Sequence, residues 1–89
     1  MGISAIKIKI MPSSPEINLE ELQSKIKSLV ENQGGKNKEY VEEPIAFGLK
    51  AIIAFFEWPE EKELEQLEQN LKNIENISSI QVIEMRKVA

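Results

Sequence analysis

The chain has 89 residues, with 11 Lys and Arg against 15 acidic residues and no His, so its net charge is −4. A chain of this length builds one small hydrophobic core, and we expect a single domain over residues 1–89. The sequence has no Cys, His, Asp or Thr, which excludes thiolate nucleophiles, catalytic triads and zinc sites built on Cys and His, and predicts neither a metal nor another cofactor.

Two signals define a strand and a helix in the first part of the chain. In residues 3–11, Ile alternates with Lys, and this period of two predicts a half-buried strand. After two prolines, Asn18 provides a good helix N-cap, with Glu21 in the capping-box position. A helix is expected from there to Gly34 and Gly35, because an apolar stripe follows that consists of Leu19, Leu22, Ile26, Leu29 and Val30.

Two strands of different character are predicted next. Residues 36–43 are mostly polar, with Tyr40 and Val41 as the expected buried positions, and Pro44 ends this strand. Residues 48–57 form the most apolar stretch of the chain. Both of its alternating sets are hydrophobic, which is typical of a central strand.

Helical spacing returns in residues 60–73, where the apolar positions are Leu64, Leu67, Leu71 and Ile74. A last strand is predicted from Ile80 to Met85, running into Arg86 and Lys87. The order is therefore β-α-β-β-α-β. This order predicts a ferredoxin-like α+β fold, a four-stranded antiparallel sheet with two helices on one face.

Three features suggest contacts with another molecule. In the central strand, Ile52, Ala54 and Phe56 are expected on the sheet face away from the helices. Such an apolar face would be covered by a loop, by a second copy of the chain or by a partner. Phe47 lies in a predicted loop, where it either packs back onto the domain or enters a pocket on another protein. The pair Arg86-Lys87 is either a frayed basic tail or a contact.

No segment has the composition of a membrane span or a secretory signal. The longest uninterrupted apolar run covers residues 51–56, far shorter than the ~20 residues that cross a bilayer. The N-terminus lacks the basic and long apolar regions of a signal peptide. We therefore expect a cytoplasmic protein with no membrane partner.

Two local motifs carry a resemblance to a known family. The first predicted strand ends at Met11-Pro12, and residues 43–50 are similar to a Pro-Ile-(Ala/Gly)-Phe-Gly signature. With its size and its β-α-β-β-α-β order, the chain resembles, over essentially its full length, the archaeal beta subunit of translation elongation factor 1. That family is a group of guanine nucleotide exchange factors for the GTPase that carries aminoacyl-tRNA.

The resemblance implies roles for particular residues. Phe47 corresponds to the position that enters a hydrophobic pocket on the GTPase, and Lys87 to a lysine that reaches toward the magnesium and γ-phosphate region of the nucleotide site. These two are the expected exchange-promoting residues. Contacts with the partner are expected from Pro44, Ile45, Phe47, Gly48, Met11 and Arg86. Met11 stands where the eukaryotic relatives tend to have lysine, and Ala89 makes the tail one residue longer than the family pattern.

The implied partner is the elongation factor 1-alpha GTPase in its GDP-bound and GTP-bound forms. An exchange factor makes no covalent bonds, so we expect a protein that is not an enzyme and has no catalytic residues. It binds the GTPase best when the nucleotide is absent, and by linkage it weakens nucleotide binding by the same factor. Exchange then needs two elements, an anchor that gives affinity for the GTPase and a charged group that competes with Mg²⁺ at the phosphates. Direct contact with nucleic acid is not expected.

Three other functions remain open on the same predicted fold. RNA-recognition modules share this element order and read bases with aromatic residues on their first and third strands, but here the first strand has none and the chain is acidic. A small hydrolase would need an arginine in an anion-binding loop, whereas Arg86 is the only arginine. An oligomerising interaction domain would self-associate without affecting any GTPase.

Overall fold

One antiparallel sheet and two α-helices form the fold. The computed structural model describes residues 2–88. The elements in chain order are β1 (Ile3–Pro12), α1 (Leu19–Asn32), β2 (Lys36–Pro44), β3 (Lys50–Pro59), α2 (Leu64–Lys72) and β4 (Ile77–Lys87). The strand order across the sheet is β2-β3-β1-β4, and all three pairings are antiparallel. This architecture confirms the predicted ferredoxin-like βαββαβ fold. Among the described residues, no helix is long and apolar enough to cross a bilayer.

The sheet register decides which face of β3 meets the helices. Ile6 lies opposite Phe56, Ile8 opposite Ala54 and Ile10 opposite Ile52, and directly opposite residues project to the same face. This face packs with the apolar stripes of both helices into one core whose central members are Ile6, Ile8, Ile10, Leu22, Ile26, Val30, Ile52, Ala54, Phe56, Trp58, Leu67 and Leu71. The expectation that Ile52, Ala54 and Phe56 face away from the helices is therefore wrong.

Charged side chains of the protein itself cover the middle of the open face of the sheet. Ala51 and Ile53 lie on this face and are nevertheless buried. Lys9 lies opposite Ile53 and Glu43 opposite Ala51, and Lys9 Nζ reaches Glu43 Oε1 at 3.4 Å across the central strand. Since long charged side chains bury their aliphatic stems in this way, this ion pair covers Ala51 and Ile53, while Val41, opposite Ile53, stays exposed on the same face.

Some of the predicted elements begin at other residues in the structure. α2 begins at Leu64 rather than at residue 60, because the chain first makes a turn in which Lys62 N donates to the Pro59 carbonyl at 3.1 Å. Trp58 Nε1 holds that turn by donating to the Lys62 carbonyl at 3.0 Å. β4 begins at Ile77 rather than Ile80. Val41, expected to be buried, is 46% exposed on the edge strand β2.

The two ends of α1 are held by different means. Asn18 Oδ1 accepts from Glu20 N at 3.0 Å and from Glu21 N at 3.2 Å, which confirms the predicted N-cap. Just beyond the C-terminal end of α1, Lys62 Nζ donates to the Gln33 carbonyl at 2.7 Å. Lys62 thus supplies a cation to a helix end that has no basic residue in its own last turn.

Candidate functional site

Phe47 lies at the tip of the connection between β2 and β3, and the residue is 94% exposed. Ile45 N donates to the Leu49 carbonyl at 2.8 Å, and Leu49 N donates to the Ala46 carbonyl at 3.1 Å, so the connection closes into a single tight 3₁₀ turn. The interpretation that Phe47 packs back onto the domain is therefore wrong. The turn presents a large apolar ring to solvent.

The backbone of this turn is unusual for a residue with a side chain. Phe47 has φ 60° and ψ 34°, and Gly48 follows with φ 77°. A residue with a Cβ in the left-handed region costs about 1 kcal/mol, whereas glycine adopts it freely. The tight turn keeps Phe47 in this conformation although a glycine would fit better, which is the pattern expected where the side chain itself has a use.

The other predicted contacts of this group lie at the same end of the sheet. Pro44 forms the last rung of the β2–β3 ladder with Lys50, and Ile45 is half-buried beside it. Met11 is half-buried on β1, opposite Ser79. A cavity of about 450 Å³ separates the Phe47 turn from the β1–α1 connection; its lining includes Pro12, Pro15, Asn18, Glu42, Gly48 and Lys50.

The basic pair is part of the sheet. Arg86 lies opposite Ala5 and Lys87 opposite Ser4 in the β1–β4 ladder, and Val88 N donates to the Ile3 carbonyl at 2.9 Å. The frayed-tail interpretation is therefore wrong for residues up to 88, while Ala89 lies outside the described residues. The pair splits between the two faces, with Arg86 on the open face and Lys87 on the helix-bearing face.

Lys87 has a neighbour that sequence reasoning missed. Its Nζ lies 3.7 Å from Glu60 Oε1, in the connection between β3 and α2. The same end of the sheet carries the exposed apolar side chains of Ile3, Met85 and Val88, and Ile83 is exposed nearer the middle of β4. Ile83 falls at a register irregularity opposite Lys7 and Ile8, so its exposure follows from a bulge that the sequence pattern does not reveal.

The two exchange-promoting candidates are far apart. Strand β3 runs between them: Lys50 lies next to the Phe47 turn, and Trp58 pairs with Ser4, which in turn pairs with Lys87. Eight residue steps of an extended strand correspond to about 26 Å. The predicted site therefore consists of two surfaces at opposite ends of the sheet. Among the described residues, no group of three or more His, Cys, Asp and Glu is placed to hold a metal ion.

Comparison with known proteins places this geometry in a family. The family model described as "EF-1 guanine nucleotide exchange domain" matches residues 5–88. The protein named elongation factor 1-beta of Methanococcus aeolicus is 48% identical over 63 residues, which cover 71% of this chain and 70% of that protein. The protein of the same name from Methanosarcina acetivorans is 55% identical over 53 residues, 60% of each chain.

Among solved structures, the ACT domain from the GTP pyrophosphokinase of Chlorobium tepidum is similar in fold, with a TM-score of 0.64 and 11% identity. The similarity covers 89% of this chain and 96% of that domain. At this identity the likeness supports the fold alone. The family match and the archaeal relatives together lead to one conclusion: the chain belongs to the archaeal elongation factor 1-beta family, which carries the guanine nucleotide exchange domain of translation elongation.

Proposed function

We propose that this chain promotes the replacement of GDP by GTP on the elongation factor 1-alpha GTPase, in the cytoplasm, as one exchange domain over residues 1–89. It acts as a binding protein and not as an enzyme. The observation that carries this proposal is the nearly complete exposure of Phe47 on a strained, tightly closed turn. A large apolar ring held in solvent by a rigid backbone is suited to a pocket on a partner.

Phe47 is proposed as the anchor of the complex. Burying a phenylalanine side chain contributes about 1.5–3 kcal/mol. The turn is closed by its own backbone hydrogen bonds, so little conformational freedom is lost when the ring is bound. Pro44, Ile45 and Gly48 are proposed to support this turn, and Met11 to add a contact from the same end of the sheet.

Lys87 is proposed as the probe that weakens nucleotide binding. If the Lys87 ammonium reached the phosphates, it would compete with Mg²⁺ for them and so would weaken the binding of the nucleotide with its metal ion. Every 1.4 kcal/mol of such coupling changes nucleotide retention tenfold. Arg86, on the opposite face of the same strand, is proposed to contact the GTPase beside Lys87.

The separation of the two surfaces supports separate roles for them, with binding at the Phe47 end and action on the nucleotide at the Lys87 end. A GTPase that contacts both ends of the sheet at once is held by the Phe47 end while the Lys87 end acts on the nucleotide. Binding at one end raises the effective concentration of the other, so neither contact needs to be tight by itself.

The test of this proposal is the release of a fluorescent GDP analogue from elongation factor 1-alpha of the same organism, with excess unlabelled GTP and the chain at catalytic concentration. We expect release to become faster in proportion to the added chain. If release is unchanged at every concentration, the exchange function is wrong. Binding of single-stranded RNA or sedimentation as an oligomer in the same samples would then support one of the alternatives.

A further inference from the structure

The ion pair between Lys87 and Glu60 connects the last residue of β4 to the β3–α2 connection. Lys87 Nζ and Glu60 Oε1 are 3.7 Å apart, and the two side chains are 70% and 35% exposed. Lys62, the basic residue nearest to Glu60 in sequence, donates instead to the Gln33 carbonyl at 2.7 Å. Among residues 2–88, Lys87 is the cation that pairs with the Glu60 carboxylate.

The backbone of Glu60 and that of Val88, the residue after Lys87, are hydrogen-bonded to the start of the chain. Glu60 N donates to the Gly2 carbonyl at 2.9 Å, and Val88 N donates to the Ile3 carbonyl at 2.9 Å. The Glu60 backbone is therefore held beside the sheet, and its carboxylate moves no further than one glutamate side chain allows. When the Lys87 ammonium extends away from the sheet into a site on another protein, the carboxylate cannot follow, and the ion pair breaks.

We infer that Glu60 is an intramolecular counter-ion that competes with the nucleotide site of the GTPase for Lys87 and so restrains exchange. This inference rests on the proposed function. Any contact that stabilises Lys87 in the free protein and is lost in the complex reduces the coupling by the same free energy. Glu60 thereby acts on the reaction through Lys87, without contact with the nucleotide.

The exposure of the Lys87–Glu60 ion pair limits how much Glu60 can slow the exchange. An exposed ion pair between long side chains contributes little, and the corresponding change in exchange rate is about two- to fivefold. Salt screens such a pair, so the difference between the intact chain and a variant without Glu60 decreases as ionic strength rises. Arg86 projects to the other face of the sheet and does not replace Lys87 in the pair.

The experiment compares Glu60→Gln with Glu61→Gln, each in the intact background and combined with Lys87→Ala. Glu61 is the neighbouring exposed glutamate and forms no ion pair among the described residues. We expect Glu60→Gln to raise the maximal rate of GDP release about two- to fivefold, Glu61→Gln to leave it unchanged, and Glu60→Gln to have no effect in the Lys87→Ala background. Equal or slower release by Glu60→Gln, or the same acceleration without Lys87, would overturn the inference.

A second measurement does not depend on the GTPase. In the free chain, the NMR order parameter of the Lys87 side chain should fall in Glu60→Gln and stay unchanged in Glu61→Gln. If the intact chain releases no GDP, the proposed function fails, whereas unchanged Lys87 mobility in Glu60→Gln rejects the ion pair itself. Release by the intact chain with no gain in Glu60→Gln rejects only the competition.

Discussion

Phe47 and Lys87 lie at opposite ends of the same sheet, separated by about eight residue steps of β3, which corresponds to roughly 26 Å. Phe47 projects from a turn, while Lys87 ends a strand that is paired up to its last residue. Both backbones are held by hydrogen bonds. The distance between the two contacts is therefore a property of the fold, and a partner that uses both must present two sites at that spacing.

The strain at Phe47 predicts that the site residue is not the most stable choice for the fold. Phe47→Gly should be equally stable or about 1 kcal/mol more stable, because glycine adopts the left-handed conformation freely. The exposed ring loses no packing in this variant. Urea unfolding measures the stability, with Phe47→Ala as the control that keeps a Cβ. A loss of more than about 1 kcal/mol in Phe47→Gly would show that the ring packs on the domain.

Gly35 is required for the close approach of α1 and β3. A Cβ at this position would lie 2.7 Å from Val30 Cγ1 and 2.9 Å from Trp58 Cε3. Gly35→Ala should lower the free energy of unfolding by about 1–3 kcal/mol, because both neighbours are buried core residues. Ser24→Ala, on the exposed face of α1, is the control and should change stability by less than about 0.5 kcal/mol. Equal stabilities of the two variants would contradict this packing.

Lys62→Met should destabilise the chain by about 1 kcal/mol, because the Gln33 carbonyl loses its ammonium donor at the C-terminal end of α1. Methionine keeps most of the aliphatic stem, so the change isolates the charge and the hydrogen bond. Lys25→Met, exposed in the middle of α1, provides the comparison. The interaction should weaken in high salt. Identical unfolding midpoints for the two variants would argue against the proposed helix cap.

Tyr40 should make the fold less stable at alkaline pH. Burial, with a smaller effect from the charge of Glu31, raises the pKa of Tyr40 above its usual value of about 10. The unfolded chain therefore loses the phenol proton first, and stability falls as the pH rises through about 10.

Tyr40→Phe tests this pH dependence directly, because the chain contains only one tyrosine. The variant loses the hydrogen bond from the Tyr40 hydroxyl to Asn37 Oδ1 at 2.6 Å, so the intact chain should be about 1 kcal/mol more stable at neutral pH. This advantage should shrink above about pH 10. Unfolding curves at several pH values measure it, and an advantage that stays constant would show that Tyr40 does not contribute to the alkaline loss.

The sequence predicted correctly those features of the fold that depend on residues close together in the chain. Asn18 caps α1 as expected, since the interactions of a helix cap lie within a few residues. The two apolar faces of β3 could not be told apart by periodicity, because only the pairing with β1 decides which set meets the helices. The late start of α2 depends on a four-residue turn that the Trp58–Lys62 hydrogen bond holds, and the spacing of the apolar residues does not reveal that turn.

The same distinction holds for the candidate site. The sequence indicated Phe47 and its loop, but the exposure of the ring follows from a backbone conformation that residue preferences would assign to glycine. The ion pair of Lys87 with Glu60 joins residues that are distant in sequence and adjacent only through the sheet. Such contacts depend on the register of the strands and were therefore not predicted.

The most direct test of the two-surface account measures GDP release as a function of the concentration of the intact chain, Phe47→Ala and Lys87→Ala. Circular dichroism and unfolding midpoints confirm beforehand that both variants are folded. Phe47→Ala should raise the half-saturating concentration about tenfold or more and keep the maximal rate near that of the intact chain. Lys87→Ala should lower the maximal rate and leave the half-saturating concentration nearly unchanged. If both variants change the same parameter, or if either one behaves like the intact chain, the separation into anchor and probe is wrong.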